Sequence, residues 1–100
     1  MITTKQRAFL RSLANGIDTI FQVGKNGIEE NFIKQVDQAL EKRELIKLNV
    51  LESAGAEARE VSRILCEKLA AEGVQVIGNR VVLYREAKEP GNRKIELPKK

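Results

Sequence analysis

Between residues 28 and 42, Ile28, Phe32, Ile33, Val36, Ala39 and Leu40 recur at the spacing of one helix face, and that stripe must be laid against a core. On either side stand short runs, Ile17 to Val23 and Leu45 to Leu51, too brief for helices and rich in aliphatic side chains. They read as strands. In the second run Ile46, Leu48 and Val50 share one face while Lys47 and Asn49 share the other. Strands joined through a helix are expected to pair in parallel by a right-handed crossover.

The remaining segments extend this unit. A first helix, capped by Thr3 or Thr4, runs to about Ala14 and stops at Asn15-Gly16. Phe9, Leu10 and Leu13 are expected to dock it, with Arg7 and Arg11 on a different face. A third helix from about Ala56 to Glu72 turns Val61, Ile64, Leu65 and Leu69 inward, with Gly73 as its stop. Val74 to Ile77 and Val81 to Tyr84 flank Gly78-Asn79-Arg80, a hairpin signal. The order is α-β-α-β-α-β-β, an α/β chain with a four-stranded mixed sheet backed by helices.

Gly24-Lys25-Asn26-Gly27 lies between the first strand and the long helix. Two glycines three apart in that setting are either a plain tight turn or a cradle for a phosphate. In the second case backbone N–H groups at the positive end of a helix dipole face the anion, the missing Cβ atoms allow close approach, and Lys25 adds a charge. Glu29 and Glu30 would compete with that anion.

Composition narrows the chemistry. The chain has 100 residues, 42% of them hydrophobic and 32% charged, which suits one modest domain. It contains no histidine, so the commonest general base and metal ligand are missing and no enzymatic activity or cofactor is expected. Glu57 with Glu60, and Glu67 with Glu72, read as solvated helix charges. The single cysteine, Cys66, has no partner for a disulfide or metal site and is expected to pack. No apolar stretch approaches the roughly 20 residues of a membrane span, and the expected compartment is the cytoplasm. No small-molecule substrate is indicated.

Charge is segregated along the chain. Residues 1 to 27 carry four basic side chains against one acidic, residues 28 to 78 seven against ten, and residues 79 to 100 seven against three. Basic ends that met in space would attract a polyanion. Residues 87 to 100, with Pro90-Gly91 and Pro98, read as a loose basic arm beyond a domain of residues 1 to 86.

Lys5 to Ala14, Val23-Gly24-Lys25-Asn26-Gly27, Glu44-Leu45-Ile46-Lys47 and Val76 to Arg85 together resemble the CRM domain family, in particular its stand-alone bacterial, YhbY-like form. The resemblance covers about residues 1 to 86. It implies a fold similar to the C-terminal domain of translation initiation factor 3, RNA binding without catalysis, and association with precursors of the large ribosomal subunit. It also implies that Gly24, Lys25, Asn26 and Gly27 touch RNA. Arg7, Arg11 and Lys47 match the family's basic pattern, and Arg80, Tyr84 and Arg85 around the last strand complete the candidates. Tyr84 could stack on a base or pack at the rim of the core. With 4% aromatic residues, backbone and shape recognition is expected to outweigh reading by stacking. A rival account is a protein-interaction adaptor whose basic ends bind an acidic partner.

Overall fold

Threonine opens the first helix. In the computed structural model, which describes residues 2–99, the Thr3 hydroxyl accepts from the Gln6 N–H and the Gln6 side chain accepts from the Thr3 N–H. This reciprocal cap satisfies two orphan donors and starts α1, Thr4–Ala14. The buried row is Gln6, Leu10 and Ala14. Phe9 and Leu13, expected beside Leu10, are 36% and 38% exposed, because the i, i+4 row through Leu10 meets the sheet and they lie one row away.

The other elements are β1, Thr19–Val23; α2, Glu30–Arg43; β2, Leu45–Val50; α3, Ala58–Leu69; β3, Glu72–Ile77; and β4, Arg80–Tyr84. Single 3₁₀ turns sit at Glu52–Ala54 and Pro90–Asn92. The sheet order is β1-β2-β4-β3. β1 and β2 pair in parallel across α2, whereas β4 pairs antiparallel with both β2 and β3. β3 therefore does not pair with β2, although α3 joins them. The two-residue loop Gly78-Asn79, with Gly78 at φ +55, folds β4 straight back onto β3, and β2 takes its other edge.

Alternation along the strands feeds two cores. Val23, Ile46, Leu48, Val50, Val81 and Leu83 face α2 and α3, where they bury Val36, Leu40, Val61 and Leu65. Leu45, Val74, Val82 and Tyr84 face the other way, against Leu10 and Ala14 of α1. β4 contributes to both cores and is buried on both faces.

α2 ends on a strained residue. Glu44 has φ +64 and is fully buried, and its carboxylate accepts from the N–H groups of Ala87 (2.7 Å), Lys94 (2.7 Å) and Ile95 (2.9 Å). One turn earlier, Glu41 accepts from the Asn92 side chain (2.9 Å) and the N–H groups of Lys88 (2.8 Å) and Glu89 (3.1 Å). The side chains of Ile95 and Leu97 pack on the core beneath α1, and the Pro98 carbonyl accepts from Gln6 Nε2 at 2.9 Å. The stretch read from sequence as an arm thus lies along the domain.

Candidate nucleic-acid interface

The glycine loop begins where β1 ends. The Gly27 N–H donates to the Gly24 carbonyl at 2.9 Å, so the turn is closed. Gly27 takes φ +65 with nothing within 4 Å of where a Cβ would stand, a conformation that favours glycine. Lys25 and Asn26 form its exposed tip. α2 then starts at Glu30 rather than directly at Ile28, and Glu29 at its cap makes no side-chain hydrogen bond to the helix. The first-turn N–H groups are left for solvent or a ligand. Gly24, Lys25, Gly27, Glu29, Asn31 and Phe32 help line a concavity of about 250 Å³. Glu29 borders it and Glu30 does not, so one of the two expected competitors for an anion is present.

Backbone bonds fix what stands beside this loop. The Leu51 N–H donates to the Val23 carbonyl at 2.8 Å and the Val50 N–H to the Asn79 carbonyl at 2.7 Å. The loop, the end of β2 and the β3–β4 hairpin therefore share one end of the sheet. Register then aligns Gln22 with Asn49, Asn49 with Arg80, and Arg80 with Ile77, a single row across all four strands. Directly opposed residues point to the same face. One step inward on that face, Lys47 and Gln75 both pair with Val82. This is the face that α1 covers further along, where Leu45, Val82 and Tyr84 meet Leu10 and Ala14.

Arg80, exposed, thus stands at the sheet end that carries Lys25, whereas half-buried Lys47 lies two residues inward of Asn49 on the same face, opposite Thr19 at the start of β1. Arg7 is half-buried on the flank of α1 beside β3, its Nε donating to the Gly73 carbonyl at 3.1 Å. Arg11 lies one turn further along that flank, in the last turn of the helix. Two candidates point elsewhere. Tyr84 is 4% exposed within the α1-side core, and burial pushes its phenol up to about 12. Arg85 is 7% exposed and donates to Asp37 Oδ1 at 2.6 Å, the Asp37 carbonyl at 3.1 Å and the Leu69 carbonyl at 3.2 Å. That guanidinium ties α2 to the end of α3 and presents no donor fork at the surface, so Arg85 stands apart from the other candidates, and Tyr84 takes the core-packing alternative. Lys94 lies beside Glu44 and Leu45, at the opposite end of β2 from the loop.

Sequence reasoning did not single out Gln22, Asn49 and Gln75. Asn49 was readable, because alternation along β2 puts it on the face of Lys47. Gln22 and Gln75 needed the strand order and register, which composition does not carry.

The geometry can be set beside known proteins. The CRS1 / YhbY (CRM) domain model matches residues 2–85. The chain is 49% identical to "Probable RNA-binding protein YqeI" of Bacillus subtilis (strain 168), over 98% of this chain and 100% of that protein. It is 37% identical to a Haemophilus influenzae protein named "RNA-binding protein", over 99% and 97% of the two chains. The solution structure of Staphylococcus aureus SAV1595 is similar at a TM-score of 0.76 and 51% identity, covering 98% of this chain and 100% of that one. A family match from the start of α1 to the residue after β4, with relatives alike along their whole length, makes this chain a member of the CRS1 / YhbY (CRM) domain family.

Proposed function

We propose that this protein binds RNA through the end of the sheet that carries the glycine loop, and that its target is ribosomal RNA during assembly of the large subunit in the cytoplasm. The observation that carries the proposal is the register that puts Lys47 and Arg80 on one face of the sheet, with Arg80 at the end where Lys25 stands. The names of the relatives support RNA as the ligand. In this account a phosphate sits against the Gly24 to Gly27 loop and the uncapped start of α2, where partial positive charge is gathered. Lys25, Lys47, Arg80 and Arg11 neutralise neighbouring phosphates, and Arg7 supports the flank. The protein holds RNA geometry and carries out no reaction of its own.

Gly27→Asp tests this. The substituted position has φ +65 and open space around it, and aspartate is among the residues that tolerate that backbone best, so the fold survives while a negative charge enters the concavity. Binding to large-subunit ribosomal RNA should weaken roughly tenfold or more, as repulsion across a few ångströms implies. A circular dichroism melt verifies folding. Unchanged affinity in the folded variant would reduce the loop to a turn, and capture of an acidic protein in place of RNA would favour the adaptor account.

A further inference from the structure

Beside the row of amides, α1 runs out. Asn15, Lys47, Gln75, Ile77 and Arg80 surround a second depression of about 130 Å³, with buried Val82 among its lining. Its volume suits one planar ring system, not a length of polymer. Among the described residues its lining holds two cations and no carboxylate, which complements an anionic chain passing over it. Val82 supplies an apolar surface and Ile77, 61% exposed, an apolar wall against which a ring can lie. Gln75 and Asn15 bring amides, which both donate and accept.

The helix ends separate the duties of the two sites. At the glycine loop α2 begins, and the positive end of its dipole favours phosphate. At the depression α1 ends, for Ala14 and Asn15 line it, and the negative end of a dipole favours cations and N–H donors over phosphate. A nucleobase fits that environment. Its ring faces are apolar, its edge donates and accepts, and the phosphates on either side of it can be met by Lys47 and Arg80.

We propose that this depression accepts one unpaired base of the RNA, extruded from its stack, so that the protein distinguishes looped or single-stranded RNA from continuous duplex. The proposal rests on the RNA-binding reading above and adds a second site to it. A base inside a duplex cannot enter, because its edge is paired and its faces are stacked.

The test compares a hairpin RNA with an unpaired loop against a fully paired duplex of the same stem, for wild type, the double variant Gln75→Ala/Ile77→Ala, and Lys25→Ala. The double variant should bind the hairpin roughly fivefold to twentyfold more weakly, with duplex affinity changed by less than about twofold, while Lys25→Ala weakens both. Asn15→Ala, at an exposed position on the helix side, should repeat the contrast without touching a strand. Equal losses on both RNAs, or none on either, would overturn the base site while leaving RNA binding intact. Wild type that binds neither RNA would overturn the RNA-binding reading and this proposal with it.

Discussion

Single residues carry backbone strain in two places. Ala70 ends α3 in the left-handed region, with φ 54 and ψ 40, its N–H donating to the Cys66 carbonyl. Glycine would hold that conformation without the Cβ clash, so Ala70→Gly should stabilise the protein by about 1 kcal/mol, a rise in Tm of roughly 4–8 °C. A thermal melt checks it. Sequence placed the stop of this helix at Gly73, three residues late, because alanine carries no signal for a left-handed cap. Glu44 was opaque for the same reason, since nothing in its neighbours announces a buried carboxylate at φ +64. Gly27 was legible as a turn glycine, and at φ +65 it uses a backbone conformation that glycine adopts without a Cβ clash.

At the scale of elements, the carboxylates at the end of α2 tie down the segment after β4. The Asn92 side chain and two backbone N–H groups hold Glu41 down at about 2. Burial alone would raise Glu44, but its three backbone donors and Arg93 outweigh that and leave it below the usual carboxylate range. Both groups bind protons less readily folded than unfolded, where a glutamate titrates near about 4.3. Their stabilisation is therefore complete above that value and is lost as pH falls through the folded values toward about 2. Urea unfolding should show stability declining from about pH 4.5 downward. Glu44→Ala, which leaves three N–H groups unmatched in the interior, should cost about 3 kcal/mol at pH 7 and flatten that decline. A decline as steep as in wild type would show that other groups cause it. The arm expected from Pro90, Pro98 and the surrounding charges rested on local composition, whereas Ile95 and Leu97 find their core through contacts across the whole chain. Element order, by contrast, was legible from periodicity, because each helix has one apolar face and β2 alternates cleanly. Only the placement of β4 between β2 and β3 lay outside it.

For the whole molecule, four of the ten acidic side chains in the middle of the chain work as acceptors between elements. Asp37 is engaged by Arg85, Glu72 by the Ile2 N–H at 3.1 Å, and Glu41 and Glu44 by the C-terminal segment. Lys47 and Arg80 meet no carboxylate among the described residues that line the depression beside α1, whereas Lys25 shares its concavity with Glu29. Segregated charge in the sequence pointed toward a polyanion, but the basic ends do not simply converge. Arg80 joins the loop, Lys47 comes from the acidic middle, and Lys94 stays at the far end. Lys47→Ala and Arg80→Ala should each weaken RNA binding and lower the log–log salt slope by about 0.7 to 0.9, with little change in Tm. Arg85→Leu should do the reverse, lowering Tm by removing the tie between Asp37 and Leu69 while RNA affinity of the folded protein stays the same. Filter binding over a salt series, with melts of each variant, separates the two groups.

The most direct measurement is a titration of the isotopically labelled protein with a hairpin fragment of large-subunit ribosomal RNA, followed by amide chemical shifts. The account predicts shifts gathered at Lys25, Asn26, Gly27, Asn49 and Arg80, with the outer face of α3 and the segment from Lys88 to Ile95 unmoved. Shifts centred on α3 or on that C-terminal segment, with the glycine loop silent, would contradict it.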